Sequence, residues 1–122
     1  MRFLVPKETE VLAGLELGGV PVCTAISLTS GLPAAYVRKA AKDYGTMNLC
    51  EGAAIEGKKV CVIEDIISTG GQVLESIGHL RNLGAEIVGV CCVIKRSGFE
   101  QGALSASGIE VLALFEQDEL AS

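Results

Sequence analysis

Short apolar runs alternate along the chain with longer stretches in which apolar residues recur at helical spacing. The runs are apolar on both faces, which is typical of strands in a parallel sheet that is covered on both sides. We therefore predict five strands, at residues 11–14, 34–37, 60–63, 87–94 and 111–114.

Two helices are predicted between these strands. The first has Pro21 in its opening turn and ends at Gly31, and the second lies between the third and fourth strands and ends at Gly84. Because strands and helices alternate, we predict one doubly wound α/β domain over residues 1–122, with a mainly parallel five-stranded sheet. A chain of this length is sufficient for a single core.

Residues 38–59 do not follow this pattern, since they show little apolar periodicity. Connections longer than ~12 to 15 residues are uncommon in compact domains and often have a function. The segment holds five of the ten basic residues but only three of the fifteen acidic ones. It is either a solvated surface loop or a mobile lid that closes over an anion. We prefer the lid, because a lid explains both the length and the charge.

Composition and charge exclude several classes of function. A formal net charge of −5 and a pI near 4.8 argue against nucleic-acid binding. No apolar run approaches the ~18 residues of a membrane span and residues 1–10 lack the apolar core of a secretion signal, so we expect a cytoplasmic protein without membrane contact. The five cysteines form no Cys-x-x-Cys pair, so we predict buried structural thiols, with Cys50 as the exposed exception.

Residues 60–72, VCVIEDIISTGGQ, carry the strongest functional signal. The predicted strand ends in Glu64 and Asp65, and a short loop leads to a helix that begins at about Gly70. Ligands of open α/β sheets bind beyond the carboxyl ends of the strands, where helix N-termini offer unpaired N–H groups. A phosphate monoester suits the backbone donors and two hydroxyls of Ser68, Thr69, Gly70, Gly71 and Gln72.

The two carboxylates beside this loop indicate what the rest of the ligand is. A carboxylate repels phosphate, but it accepts hydrogen bonds from sugar hydroxyls, and a divalent cation can bridge the two. We therefore predict a phosphorylated sugar. The alternatives are that the acids cap a helix or face solvent, that the glycines only turn the chain, or that the loop binds a nucleotide. Neither the Walker A pattern nor Gly-x-Gly-x-x-Gly is present.

Residues 60–72 resemble the phosphoribosyl pyrophosphate (PRPP) signature of type I phosphoribosyltransferases. The resemblance continues through residues 13–46, 84–96 and 108–120, in the order and at the spacings of the orotate phosphoribosyltransferase family. It implies an enzyme of pyrimidine nucleotide synthesis that transfers the 5-phosphoribosyl group from PRPP to a nucleobase, orotate first, and releases pyrophosphate. It also implies Mg²⁺ that is bound through PRPP, with no separate metal site, and a homodimer.

The resemblance further implies roles for individual residues. The ribose hydroxyls would contact Glu64 and Asp65, and the 5-phosphate would bind the five residues of the loop that follows. A second loop, after the first strand, would bind pyrophosphate through Glu16, Leu17, Gly18 and Gly19.

The remaining implied roles belong to basic residues. Arg96 would contact the orotate carboxylate. The mobile catalytic loop, with Arg38, Lys39 and Lys42, would reach the active site of the neighbouring subunit, and Lys42 would be its main electrostatic catalyst. Lys95, beside Arg96, is expected to be a solvated charge at a strand end.

The chain departs from the family pattern in three ways. Tyr44 stands where the catalytic loop usually has a histidine, and Gly18 stands where some members have a lysine. The N-terminal hood that covers the base in orotate enzymes has no counterpart in these 122 residues. A non-catalytic PRPP- or nucleotide-binding regulatory protein of the same fold is therefore the alternative. A different phosphate-binding α/β protein is a third, weaker one.

Overall fold

A single six-stranded sheet forms the centre of the described part of the chain. The structure is a computed structural model and describes residues 5–38 and 50–118. The strands run in the order β3-β2-β1-β4-β5-β6, and every neighbouring pair is parallel except the antiparallel pair β2–β3. Their bounds are β1 Val11–Leu15, β2 Ala34–Val37, β3 Cys50–Gly52, β4 Lys59–Ile67, β5 Glu86–Lys95 and β6 Val111–Glu116.

Two long helices cover the sheet, one on each face. Helix α1, Gly19–Ser30, ends at Gly31, whose φ is 79° and whose N–H donates to the Ser27 carbonyl at 2.9 Å. Helix α2, Gly71–Asn82, is followed by Gly84 at φ 95°. The predicted α/β fold and both helix ends are confirmed, but the prediction of five strands is wrong because it missed β3.

A shorter helical segment follows β5. It consists of a 3₁₀ turn, Phe99–Gln101, and the one-turn helix α3, Ala103–Ala106. Leu104 of α3 is fully buried and joins the apolar layer under α2. No helix in residues 5–38 and 50–118 is long and apolar enough to span a bilayer.

Strand β4 shows why the predicted strands are apolar on both faces. Its side chains alternate, so that Cys61 and Ile63 pack with α1 while Val60 and Val62 pack with α2. All four side chains are fully buried. The two layers enclose most of the thiols, as predicted, and burial raises the pKa of Cys23 to about 11. Cys50 is half-buried instead of exposed, and burial raises its pKa as well.

The predicted loop over residues 38–59 is wrong in its second half. Residues 50–52 form β3, which gives β2 an antiparallel partner along an edge that would otherwise be open. Ile55 is buried in the core, and the Gly57 N–H donates to the Gly84 carbonyl at 2.9 Å. Residues 50–59 are therefore part of the folded domain.

Candidate functional site

The turns after β1 and β4 open at the same end of the sheet. These two strands are parallel neighbours, with Gly14 paired to Ile63. We call residues 16–19 the β1 turn and residues 68–71 the β4 turn; each turn leads into the first residues of a helix. The N-terminal ends of the two helices therefore meet at one edge, as expected for a ligand site in an open α/β sheet.

The acid pair lies inside β4 and not after it, which corrects the predicted strand end. β4 continues to Ile67 because β5 is long enough to pair with it there, with Ile67 opposite Lys95. Neighbouring side chains of a strand point to opposite faces. Glu64 therefore lies on the α2 face and Asp65 on the α1 face.

Asp65 lies directly beneath the β1 turn. A Cβ atom placed on Gly18 would be 2.2 Å from Asp65 Oδ2, and one placed on Gly19 would be 2.3 Å from the Ile63 carbonyl oxygen. Only glycine allows the turn to approach β4 this closely. The Oδ1 atom of Asp65 accepts a hydrogen bond from the Ile66 N–H at 2.7 Å, which fixes the carboxylate at the N-terminal end of α1, where a negative charge is favourable.

Glu64 faces the β4 turn. It lines a cavity of about 290 Å³ together with Ile66, Ile67, Ser68, Thr69, Gly70, Gly71, Gln72 and Val73. All five residues predicted to bind a phosphate therefore lie around one concave space. The Leu74 N–H donates to the Gly70 carbonyl, so the α2 N–H groups before it are those that a helix leaves without internal partners. Such N–H groups suit an anion.

A second cavity, of about 240 Å³, joins the ends of three strands. It is lined by Leu15, Glu16, Val37, Arg38, Glu64, Gln72, Glu75 and Ser76. Glu16 and Glu64, predicted to serve different parts of the ligand, thus share one space. Glu75 and Ser76 were missed by the sequence interpretation. Their spacing of three and four residues from Gln72, which places all three on one side of α2, was the available signal.

Of the predicted basic residues, the structure describes Arg38 and Arg96. Arg38 follows β2 at the same edge and forms an ion pair with Glu51 of β3. Lys39 and Lys42 lie outside the described residues. Lys58 and Lys59, which contributed to the predicted positive loop, lie at the opposite end of the sheet. Lys59 begins β4 five residues before Glu64, which corresponds to about 17 Å at ~3.3 Å per strand residue. The predicted concentration of positive charge at one loop is therefore wrong for these two lysines.

Arg96 lies beside the β4 turn but lines a different cavity. Its backbone N–H donates to the Ile67 carbonyl at 2.8 Å. It lines a cavity of about 190 Å³ at the ends of β5 and β6. Lys95, expected to be a solvated charge, is half-buried, and its Nζ atom lies 4.6 Å from the centre of the Phe99 ring. The structure thus brings Arg96 beside the β4 turn, but not into the cavity that the turn encloses.

Comparison with known proteins agrees with this geometry. Residues 5–101 match the family model of the phosphoribosyl transferase domain. An orotate phosphoribosyltransferase of Nocardioides sp. is 47% identical over 120 residues, which cover 98% of this chain and 67% of the relative. Another, from Sorangium cellulosum, is 43% identical over 112 residues, which cover 86% of this chain and 58% of the relative.

A solved structure is similar as well. The crystal structure of Mycobacterium tuberculosis H37Rv orotate phosphoribosyltransferase in complex with PRPP has a TM-score of 0.79 and 33% identity, and the match covers 93% of this chain and 66% of that one. The chain spans between 58% and 67% of the length of these three relatives. On these matches, the chain belongs to the phosphoribosyltransferase family and, within it, to the orotate phosphoribosyltransferases.

Proposed function

We propose that this protein transfers the 5-phosphoribosyl group from PRPP to orotate and releases pyrophosphate, a step of pyrimidine nucleotide synthesis. One observation carries the proposal: the acid pair of β4 is shared between the two turns, with Asp65 beneath the β1 turn and Glu64 in the cavity of the β4 turn. PRPP has the matching layout, because its ribose hydroxyls lie between a phosphate at one end and a diphosphate at the other.

Each part of PRPP is assigned on this basis. The 5-phosphate binds the β4 turn, through Ser68, Thr69, Gly70, Gly71 and Gln72, and the ribose hydroxyls donate to Glu64 and Asp65. The diphosphate binds the β1 turn, through Glu16, Leu17, Gly18 and Gly19. The cavity of about 240 Å³ that contains both Glu16 and Glu64 supports this order, because it joins the two turns.

The chemistry is a displacement at the anomeric carbon. The bond from C1 to the diphosphate oxygen breaks, and a bond from C1 to the base nitrogen forms as that nitrogen loses its proton to the departing pyrophosphate or to water. Positive charge develops on the ribose ring in between. The carboxylates of Glu64 and Asp65 stabilise that charge, and Arg38, Lys39 and Lys42 neutralise the departing pyrophosphate. Correct positioning supplies much of the remaining rate, since no covalent intermediate with the protein is needed.

Mg²⁺ is part of the proposal, as an ion that enters with PRPP. Its preferred ligands are oxygens, and it keeps several waters when it binds phosphates. The carboxylates of Asp65 and Glu16 fit such an ion next to a diphosphate, where they would otherwise repel the substrate. In residues 5–38 and 50–118, no group of three or more His, Cys, Asp or Glu side chains is arranged to hold a metal by itself. When bound, Mg²⁺ offsets the diphosphate charge.

The base and the partner subunit complete the proposal. Arg96 binds the orotate carboxylate from the cavity beside the β4 turn. The protein acts as a homodimer in which the segment with Lys39 and Lys42 serves the neighbouring site. Helix α1 supports a dimer, because it contains no charged residue and leaves Leu28 82% exposed. A cytoplasmic location belongs to the same proposal, because a polyanionic substrate does not cross membranes unaided.

The test is turnover with PRPP, Mg²⁺ and orotate, followed by the loss of orotate absorbance and by the pyrophosphate released. We expect one pyrophosphate per orotate consumed, and no turnover when uracil or adenine replaces orotate. Calorimetry with PRPP and Mg²⁺ is run on the same sample. Binding without turnover on any base would reject the catalytic proposal in favour of a regulatory protein, and absence of PRPP binding would reject both.

A further inference from the structure

The β4 turn packs against Gly102, which precedes α3, and against Leu104 of α3. The Leu104 N–H donates to the Thr69 carbonyl at 3.1 Å. A Cβ atom placed on Gly102 would be 2.5 Å from both the Cα and the carbonyl oxygen of Thr69. One placed on Gly70 would be 2.3 Å from the Leu104 Cβ. Gly102 therefore lies backbone against backbone on Thr69, and the Leu104 side chain packs directly on Gly70.

This contact sets the direction of one N–H group in the turn. In a trans peptide, the carbonyl and the following N–H point to opposite sides. The Thr69 carbonyl points to Leu104, so the Gly70 N–H points away from Leu104. The residues that line the cavity of the β4 turn all lie between 64 and 73, so Gly102 and Leu104 lie outside it. Any effect of Gly102 or Leu104 on a ligand must therefore pass through Thr69 and Gly70.

We infer that Gly102 and Leu104 are positioning residues for the 5-phosphate: their backbone holds the Thr69–Gly70 peptide so that its N–H faces the phosphate. The inference rests on the proposed function. Gly102 has φ −91° and ψ 169°, an extended conformation that any residue adopts. Glycine at this position is thus required only by the close approach to Thr69, and adding one methyl group tests that approach alone.

The experiment compares two ligands that contact different turns. Ribose 5-phosphate engages the β4 turn, whereas pyrophosphate with Mg²⁺ engages the β1 turn. In G102A the methyl group must displace Thr69. We expect ribose 5-phosphate to bind about tenfold or more weakly, which corresponds to ~1.4 kcal/mol, while pyrophosphate binds as in the unchanged protein. In turnover, KM for PRPP rises by a similar factor and kcat changes less, as expected for lost ground-state binding.

The matched control is G84A. Gly84 has φ 95° and lies in the turn between α2 and β5, at the opposite end of the sheet. An alanine there strains the backbone, so G84A is expected to lower the melting temperature without changing the affinity for either ligand. A loss of ribose 5-phosphate affinity in G84A equal to that in G102A would overturn the inference, because it would mean that general destabilisation causes the effect.

A second variant covers the case in which G102A does not fold. L104A keeps the N–H that holds Thr69 but removes the side chain packed on Gly70, and we expect about threefold weaker ribose 5-phosphate binding with unchanged pyrophosphate binding. Unchanged ribose 5-phosphate affinity in G102A, or in L104A if G102A is unfolded, would overturn the inference and leave the proposed function standing. Failure of the unchanged protein to bind ribose 5-phosphate or PRPP would instead reject the proposed function itself.

Discussion

Three glycines of the β1 and β4 turns differ in their packing from Gly31 and Gly57, which lie at the amino end of the parallel sheet. At the carboxyl end, Cβ atoms on Gly18, Gly19 and Gly70 would lie 2.2 to 2.3 Å from their nearest neighbours. At the amino end, Gly31 and Gly57 have φ values of 79° and 72° and no atom within 4 Å of an added Cβ. Glycine therefore allows close approach at Gly18, Gly19 and Gly70, of which Gly70 is also left-handed at φ 82°, whereas Gly31 and Gly57 provide only a left-handed backbone.

This difference marks the functional end of the molecule. The left-handed turns at Gly31 and Gly57 only reverse the chain, and an added Cβ atom there would meet no protein atom within 4 Å. Close approach, in contrast, brings the β1 turn against Asp65 of β4 and the β4 turn against Leu104, so that ligand groups bound at Gly18 and at Gly70 are held at a fixed separation. Changes at the carboxyl end should therefore alter catalysis, whereas equivalent changes at the amino end should alter at most the free energy of unfolding.

The largest expected effect on kcat is that of Lys42, compared with Lys58 from the same predicted loop. We expect Lys42→Ala to lower kcat by about a hundredfold or more, since it removes a charge that neutralises the leaving pyrophosphate. Lys58→Ala changes a lysine that is exposed at the amino end and should leave kcat within about twofold. Steady-state kinetics with PRPP and orotate measures both variants. Equal rates in the two variants would refute the catalytic assignment of Lys42.

The next effect contrasts one glycine from each end. Gly18→Ala forces the β1 turn away from the Asp65 carboxylate, and displacement of a positioned group by ~1 Å can cost up to a hundredfold, so we expect kcat/KM for PRPP to fall by about thirtyfold. Gly31→Ala should lower the free energy of unfolding by about 1 to 2 kcal/mol and leave kcat/KM unchanged. The comparison fails if both variants lose the same fraction of kcat/KM at a temperature where both are folded.

A smaller effect is expected from the acids. Asp65→Asn keeps an oxygen that can accept from the Ile66 N–H but removes the charge, so we expect kcat/KM for PRPP to fall about tenfold, the scale of a hydrogen bond to a charged group. At the amino end, Glu10 accepts from the Lys59 N–H at 2.9 Å, and Glu10→Gln keeps an acceptor there. Initial rates at low PRPP compare the two. A tenfold loss in Glu10→Gln would show that charge acts on the reaction from a distance.

Much of the fold could be predicted from the sequence because packing leaves a periodic trace. Residues buried under α1 and α2 recur at strand and helix spacing, and Gly31 and Gly84 mark helix ends by their backbone chemistry. Strand β3 leaves no such trace. Its three residues, Cys50–Gly52, are half-buried or exposed, and it exists because the β2 edge provides a partner. The three residues of β3 alone therefore could not predict that this segment pairs with β2.

The site was predictable in its residue types and less so in its arrangement. The acids and the residues of the β4 turn are adjacent in sequence, so their joint role could be proposed. Their division between two faces depends on how far β4 extends, which its pairing with β5 decides. The count of basic residues in one segment also grouped Lys58 with Lys42. Such a count was misleading because residues of the same segment can lie at opposite ends of a sheet. The contact of Gly102 with Thr69 joins residues 33 positions apart and has no local signal.

The smallest expected effect concerns the thiols between the two ends, where neither turn is disturbed. Burial raises the pKa of Cys23 to about 11 and that of Cys92 to about 12. At pH 8 only about one in a thousand of the Cys23 thiols is therefore ionised, and fewer of the Cys92 thiols, so a reagent that needs the thiolate should modify them slowly. Because the folded protein holds these pKa values above the usual value for cysteine, raising the pH from 7 to 9 should still leave both thiols mostly protonated and therefore slow to react. The rate of thiol modification is measured with a chromogenic disulfide before and after unfolding in urea, and turnover is measured on the same samples. Rapid modification of Cys23 or Cys92 in the folded protein would show that the sheet opens between its two ends, and the two ends could then no longer be treated as independent.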